Sequence, residues 1–201
     1  MNKLVVASNN AKKRQEITAI LGKLGIEIVA SDATAFVYVE EDADSFAGNA
    51  QKKAEAFAHA NNLPALADDS GLCVDALDGA PGIYSARFAG ESASDANNNA
   101  KLLQLLDHKD NRSAYFICAL HLAYPDDSVS LSSEGQVAGK ILKETVGNSG
   151  FGYDPLFFCP ELGKAFASAT PEEKASVSHR GRALQHLAAQ LKASRSKPQR
   201  A

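Results

Sequence analysis

The order of apolar and polar positions at the start of the chain predicts a strand–turn–helix–strand unit. Residues 4–7 are an apolar run typical of a short buried strand, and residues 8–10 form a polar turn. Four apolar residues then fall at helical spacing, at Ile17, Ile20, Leu21 and Leu24. Gly25 ends this predicted helix, and residues 26–30 form a second predicted strand. Such a unit favours two parallel strands in an α/β fold.

The rest of the chain continues this alternation. The pattern predicts helices over residues 45–61 and 94–106, a short strand over 65–67, and antiparallel strands over 114–124 and 129–142. Thr170 begins a capping box ahead of the C-terminal helices. We therefore predict an α/β fold with parallel and antiparallel strands, flanking helices and two lobes around a central cleft. Residues 1–193 form one domain in this prediction, and residues 194–201 form a basic, disordered tail.

Composition and charge narrow the class of protein. The chain has 201 residues, 45% of them hydrophobic, and a net charge of −3, so no general attraction to polyanions is expected. No apolar run approaches the roughly 20 residues of a membrane helix. We expect neither nucleic acid nor membrane as a partner. The three cysteines form no CxxC pair and the N-terminus does not have the pattern of a signal peptide, which favours a reduced, cytoplasmic protein.

The strongest chemical signal is the acidic pair Asp68 and Asp69, followed by Ser70 and a glycine. The pair directly follows an apolar run, and carboxylates at a buried strand end need a partner. Mg²⁺ is such a partner, because it prefers oxygen ligands. A plain turn after the strand would use the same residue types. Glu40 and Glu41 could supply a second metal carboxylate or form a solvated acidic loop.

Three further polar segments have two interpretations each. The turn from Ser8 to Lys13 lies before a helix, where backbone N–H groups favour a phosphate, or it is a simple helix cap. The glycine-dense loop around Phe151 and Asp154 could stack on a nucleobase and accept from its ring, or form a hydrophobic turn. The segment after Ser178, with Lys174 before it, could bind an oxyanion or a base carbonyl, or begin a helix.

The order of six motifs identifies a family resemblance. These are Ser8-Asn9-Asn10-Ala11-Lys12-Lys13 with Glu16; Asn49-Ala50 with Lys53; Ala67-Asp68-Asp69-Ser70-Gly71-Leu72; Gly79-Ala80-Pro81-Gly82-Ile83-Tyr84-Ser85-Ala86-Arg87; Gly150-Phe151-Gly152-Tyr153-Asp154-Pro155; and Glu172-Glu173-Lys174 with Ser178-His179-Arg180-Gly181. With them the chain resembles the inosine/xanthosine triphosphate pyrophosphatases, which hydrolyse non-standard purine nucleoside triphosphates to the monophosphate and pyrophosphate. The resemblance extends from residue 4 to about residue 191.

The resemblance implies a role for each matching position. Asp69 would be the general base and a Mg²⁺ ligand, with Glu41 or, one residue away, Glu40 as the second acidic ligand. Ser70 would touch the substrate. The implied triphosphate-binding residues are Ser8, Asn9, Asn10, Ala11, Lys12, Lys13 and Lys53. The implied base pocket consists of Phe151, Gly152, Tyr153, Asp154, Lys174, His179 and Arg180. The resemblance also implies a mixed, elongated central sheet, Mg²⁺ as cofactor, ITP, dITP and XTP as substrates, and a homodimer.

Three positions depart from the family pattern. Ala43 replaces a common glycine, Gly48 replaces an acidic residue that often precedes Asn49, and Ser168 replaces a frequent glutamate before Thr170. Two other functions stay open from the sequence. A non-catalytic nucleotide sensor would need no acidic metal site, and a pyrophosphatase could act on another modified nucleotide.

Overall fold

The computed structural model describes residues 3–30, 33–35, 37–128 and 130–195. Within this part, the helices are α1 Ala11–Leu21, α2 Phe46–Asn61, α3 Asp95–Leu105, α4 Pro171–Val177 and α5 His179–Arg195. The strands are β1 Lys3–Ala7, β2 Glu27–Ile28, β3 Ala65–Val74, β4 Ser113–Ala123, β5 Ser130–Ile141, β6 Phe157–Cys159 and β7 Lys164–Ala165. Short 3₁₀ turns cover Gly22–Leu24, Asp75–Leu77, Gly82–Arg87 and Phe166–Ser168.

The strands form one mixed sheet in the order β2-β1-β3-β4-β5-β6-β7. β1 pairs in parallel with β2 and β3, with Val5 opposite Ala65 and Ala7 opposite Ala67. β6 pairs antiparallel with both β5 and β7. The predicted α/β class, with a mixed sheet and flanking helices, is therefore confirmed.

Contacts divide the chain into two compact units. The first unit comprises the described residues within 1–69, 119–135 and 180–201. Its core includes the buried face of α2 against β1 and β3. Ser45 caps α2 by accepting a hydrogen bond from the N–H of Gly48, as its position in the sequence predicts. Small side chains on this face, such as Ala54 and Ala58, let the helix approach the strands closely.

The second unit comprises residues 70–118 and 136–179. Its core is richer in aromatic residues. Phe157 is the central ring: its centroid lies 4.7 Å from that of Phe116 and 5.0 Å from that of Phe166, both in tilted arrangements. Leu102 and Leu106 of the predicted helix are buried in this core, and Leu103 packs against it. The single domain and its central cleft stay predictions.

Three predicted boundaries were wrong. The strand predicted over 65–67 continues to Val74, so the acidic pair lies inside β3 and is not a turn after it. The strand predicted over 26–30 is limited to Glu27–Ile28. α5 continues through residues 194 and 195, and the rest of the predicted tail, residues 196–201, lies outside the described residues. The predicted start of β5 at Val129 and the side chain of Leu24 also lie outside them.

β3 continues through two carboxylates because each of them contacts a cationic side chain. The apolar residues Leu72, Cys73 and Val74 then bury the second half of the strand. Within the described part of the chain, no helix is long and apolar enough to cross a membrane.

Candidate active site

The acidic pair on β3 supplies two carboxylates with different surroundings. Asp68 and Asp69 are 1% and 5% exposed. Successive side chains of a strand point to opposite faces, and the two carboxylates accordingly contact different residues of the first unit. Asp68 contacts Lys13 and Arg180, whereas Asp69 contacts Asn49 and Lys53.

Asp69 is a buried carboxylate that contacts few hydrogen-bond donors among the described residues. The Nδ2 of Asn49 donates to its Oδ2 at 3.2 Å, and the Nζ of Lys53 lies 3.4 Å from its Oδ1. Burial raises the pKa of Asp69 above its usual value, although Lys53, Lys13 and the Asn49 amide oppose this. A carboxylate with a raised pKa is a stronger base than an exposed one, which suits proton abstraction from water.

Lys53 joins Asp69 to a second carboxylate. Its Nζ lies 2.9 Å from the Oε1 of Glu41. Burial alone would lower the pKa of Lys53, but the carboxylates of Asp69, Glu41 and Asp68 outweigh burial and raise it. The ammonium therefore stays charged. Of the two glutamates left open by the sequence, Glu41 shares this lysine with Asp69, while Glu40 is exposed.

Two of the departures from the family pattern, Ala43 and Gly48, lie beside this group. A Cβ on Gly48 would lie 2.9 Å from the Cβ of Ala43. A side chain at position 48 therefore competes for space with one at position 43, so the two departures compensate each other. The N–H of Ala43 also donates to the Oδ1 of Asn49 at 3.0 Å, which fixes the amide that contacts Asp69.

Asp68 belongs to a buried ion-pair network. The Nε and Nη2 of Arg180 donate to its Oδ2 at 3.1 and 2.7 Å, and the Nη1 of Arg180 donates to Glu16. The Nζ of Lys13 lies 3.3 Å from the Oδ1 of Asp68. Burial alone would raise the pKa of Asp68, but Lys13, Arg180 and Lys53 outweigh burial and hold it well below its usual value. Asp68 is thus a permanent anion that orients two cations.

The predicted phosphate turn has the geometry of a helix cap. The Oδ1 of Asn10 accepts from the N–H groups of Lys12 and Lys13 at 3.0 and 3.2 Å. The Oγ of Ser8 accepts from the N–H of Asn10, and the guanidinium of Arg14 donates to the carbonyl of Ser8. Asn9, Ala11 and Lys12 are exposed at this turn. The cap interpretation is therefore confirmed, and phosphate binding at the same turn stays a prediction.

The Phe151–Asp154 loop in the second unit is closed by its own carboxylate. The Oδ2 of Asp154 accepts from the N–H of Phe151 at 2.9 Å and from the Nζ of Lys174 at 2.7 Å. This Nζ also lies 4.8 Å from the centroid of the Phe151 ring, within cation–π range. The hydroxyl of Tyr153 donates to the carbonyl of Ser85 at 2.9 Å. These contacts fix the loop at Phe151 and Tyr153, and Phe151 is half-buried.

The remaining predicted site residues lie in different surroundings. Ser70 is half-buried on β3. His179 is buried, and its ring stacks on Phe116 at a centroid distance of 4.8 Å. Arg180 was expected beside His179 in the base pocket, but its guanidinium contacts Asp68 and Glu16. These contacts favour a role in orienting Asp68.

Asn49 and Glu16 lie in the family motifs but had no predicted role, and Asp68 was predicted only as a member of the acidic pair that could bind a metal. Asn49 and Lys53 are four residues apart on α2, so they share a helix face, and this spacing could have identified the amide. The contact between Arg180 and Glu16 spans 164 residues and has no local signal.

A divalent cation would have to use few protein ligands. Among the described residues, no group of three or more His, Cys, Asp or Glu side chains could hold a metal. Mg²⁺ commonly binds through one or two carboxylates and completes its shell with waters and substrate phosphates. Asp69 and Glu41, which share the Lys53 ammonium, provide such a pair. Asp69 and Glu41 are therefore suitable ligands for a Mg²⁺ ion that also binds a substrate phosphate.

Comparison with known proteins shows similarity along nearly the whole chain. The chain is 47% identical over 192 residues to a dITP/XTP pyrophosphatase of Nitrosomonas europaea, covering 95% of each chain. It is 50% identical over 185 residues to a dITP/XTP pyrophosphatase of Desulforamulus reducens, covering 90% of this chain and 92% of the relative. The structure of a HAM1 protein from Coxiella burnetii is similar, with a TM-score of 0.87 and 39% identity over 96% of this chain and 100% of that one. The model of the Ham1 family matches residues 4–190, so the chain belongs to the Ham1 family.

Proposed function

We propose that the protein is a nucleoside-triphosphate pyrophosphohydrolase that converts ITP, dITP and XTP to the monophosphate and pyrophosphate. The observation that carries this proposal is the group formed by Asp69, Lys53 and Glu41: a buried carboxylate with a raised pKa, beside a charged lysine and a second carboxylate. The dITP/XTP pyrophosphatase names of relatives such as that of Nitrosomonas europaea support the choice of substrates.

In this proposal Asp69 is the general base. It takes a proton from a water molecule, whose oxygen forms a bond to the α-phosphorus while the bond between this phosphorus and the oxygen bridging to the β-phosphate breaks. Pyrophosphate then leaves with the bridging oxygen. A well-placed general base contributes about 10²–10⁴-fold to the rate. Asn49 orients this carboxylate by donating to the Oδ2 of Asp69, so that the Oδ1 of Asp69 faces Lys53.

Asp69 and Glu41 would hold Mg²⁺. When bound there, the ion would neutralise charge on the phosphate oxygens. Lys53 and Lys13 bind the triphosphate in this proposal. Both side chains are mostly buried, at 11% and 18% exposure, so their attraction to phosphate is weakly screened. Each is already directed by a carboxylate, Lys53 by Asp69 and Lys13 by Asp68.

We further propose that the Phe151–Asp154 loop binds the base. Phe151 offers an aromatic face for stacking, and Lys174 with His179 could donate hydrogen bonds to the 6-oxo group of inosine or xanthosine. A pocket that donates to O6 mispairs with the amine of adenine, and such a mismatch can cost several orders of magnitude in rate. GTP shares the 6-oxo group, so its rejection must depend on the 2-amino group.

The test is pyrophosphate release from ITP, dITP, XTP, GTP, ATP and dUTP in the presence of Mg²⁺. We expect release from the first three and little from the others. Binding of ITP without release would favour a nucleotide sensor. Faster release from dUTP than from ITP would favour a pyrophosphatase for another modified nucleotide.

A homodimer in the cytoplasm completes the proposal. The three cysteines are buried thiols, which agrees with a reducing compartment. Light scattering should give twice the mass of the chain, and the mass of one chain would refute the dimer.

A further inference from the structure

The N-terminal half of α3 carries polar side chains that the proposed mechanism does not use. The sequence there reads Asp95-Ala96-Asn97-Asn98-Asn99. Asn98 and Asn99 are 3% and 7% exposed, which is unusual for asparagine in a helix. Each amide is therefore retained in the interior of the second unit for the contacts it makes.

Two of these side chains contact the backbone of a single residue of the Phe151–Asp154 loop, the base loop. The Oδ2 of Asp95 accepts from the N–H of Gly152 at 2.7 Å, and the Nδ2 of Asn99 donates to the carbonyl of Gly152 at 3.0 Å. Residues four apart lie on one helix face, so α3 presents an acceptor and a donor side by side. Both backbone polar groups of Gly152 are thus held from the same helix.

We propose that Asp95 and Asn99 are positioning residues that clamp Gly152 and thereby set the base selectivity of the Phe151–Asp154 loop. This inference rests on the proposed function, because it assigns the loop to base binding. The two residues act through the loop, and neither contacts the reacting phosphates in the mechanism above.

The loop needs such a clamp because its backbone is intrinsically adaptable. Gly150 and Gly152 have φ angles of +76° and +59°, in the left-handed region that glycine enters without strain. Glycine has many other accessible conformations, so these angles must be selected by contacts. Asp154 fixes the loop at Phe151, and the clamp fixes it at Gly152.

The hydrogen bonding of Asn99 is what a dedicated donor would show. Its Oδ1 is buried and has no hydrogen-bond partner among the described residues, so only its Nδ2 contact explains the amide. Asn98 differs: its Nδ2 donates to Ala86 and its Oδ1 accepts from Ala89, both outside the base loop. Asn98 is therefore a matched control on the same helix, with the same amide and similar burial.

The experiment compares kcat and KM for ITP and ATP in four variants and the wild type. Asn99→Ala and Asp95→Ala should each lower the ratio of kcat/KM for ITP over ATP by about tenfold, mainly by raising KM for ITP. Asn98→Ala should leave this ratio unchanged. Asp95→Asn keeps an acceptor oxygen and should restore a ratio near that of the wild type. Asp95 is exposed, so its variants should fold even if Asn99→Ala does not.

Hydrogen exchange at the Gly152 amide tests the clamp without depending on activity. Exchange should be faster in Asp95→Ala than in the wild type and Asp95→Asn. Unchanged exchange, equal loss of ITP and ATP turnover in Asn99→Ala, or an equal shift of the ratio in Asn98→Ala would overturn the clamp. A wild type that releases no pyrophosphate from ITP would overturn the proposed function, and with it the selectivity role; hydrogen exchange would still show whether the clamp exists.

Discussion

Replacing Asp69 by Asn separates the catalytic role of this carboxylate from its structural role. The change keeps the size of the side chain and its contact with Asn49, but removes the charge that faces Lys53 at 3.4 Å. We expect turnover of ITP to fall by about 10²–10⁴-fold, the usual contribution of a general base. This corresponds to a rise of about 3–5 kcal/mol in the activation free energy.

The stability of Asp69→Asn should move differently from its activity. Burial raises the pKa of Asp69, so the ionised form is the less favoured one in the folded protein. Removing this charge should therefore leave the free energy of unfolding, measured without added metal, equal to or above that of the wild type. The contact of Lys53 with Glu41, 2.9 Å in the wild type, does not involve Asp69, so we expect it to persist in the variant.

Asp68→Asn is the matched control one residue away, and it should behave in the opposite way. Its charge offsets Arg180 and Lys13, so its loss leaves buried cations with less compensation and should cost about 3 kcal/mol of stability. The lowered pKa of Asp68 means that its stabilising effect is present above its unfolded pKa, near 3.8, and is lost as pH falls through its folded pKa. The variant should lack this loss of stability in acid.

Urea unfolding and pyrophosphate release, measured on the same preparations, check both variants. If Asp69→Asn keeps more than about a tenth of the wild-type rate at saturating Mg²⁺, Asp69 is not the general base. If Asp68→Asn is as stable as the wild type at neutral pH, the charge of Asp68 does not stabilise the folded protein.

Three further predictions concern the surroundings of the site. Lys53→Ala should reduce ITP and GTP turnover by similar factors, and a change of more than about tenfold in their ratio would place this lysine near the base. Arg180→Ala removes the positive charge that pairs with Asp68 and Glu16, so ITP and ATP turnover should fall together and the melting temperature should drop. Selective loss of ITP turnover would instead place Arg180 in the base pocket. Gly150→Ala should lower the melting temperature more than Gly163→Ala, because both have positive φ angles but only at Gly150 would a Cβ overlap the Asp154 carboxylate; equal melting temperatures would contradict this.

Local pattern was enough to predict α1 and the start of α2 in the first unit, because their signals are local. Helical spacing places Ile17 and Leu21 on the buried face of α1, and both are fully buried. Gly25 follows the 3₁₀ turn after α1 with a φ of +69°, a conformation that favours glycine. Ser45 predicts the start of α2 for the same kind of reason, since a cap uses residues that are close in sequence.

Long-range pairing explains what the sequence could not predict. The length of β3 depends on cations that reach its carboxylates from α1, α2 and α5; Arg180, for example, is 112 residues from Asp68. The choice between Glu40 and Glu41 depends on which side chain reaches Lys53. The contact of Asp95 with Gly152 joins residues 57 apart, and no spacing rule connects a helix start to a distant loop.

The position of the acidic pair inside a strand gives one short motif two electrostatic roles. At the end of a strand, both carboxylates would be exposed to solvent and would have similar pKa values. Within β3, alternation directs Asp68 toward Arg180 and Lys13, which keep it ionised, and Asp69 toward a mostly buried region with one amide and one shared lysine. Neighbouring carboxylates whose pKa values are moved apart are suited to different tasks, one as a fixed anion and one as a base. Exchanging the two roles would require the strand to shift by one residue, which would also move every side chain of this doubly buried strand to the opposite face of the sheet. The packing of β3 therefore determines which aspartate can act as the base.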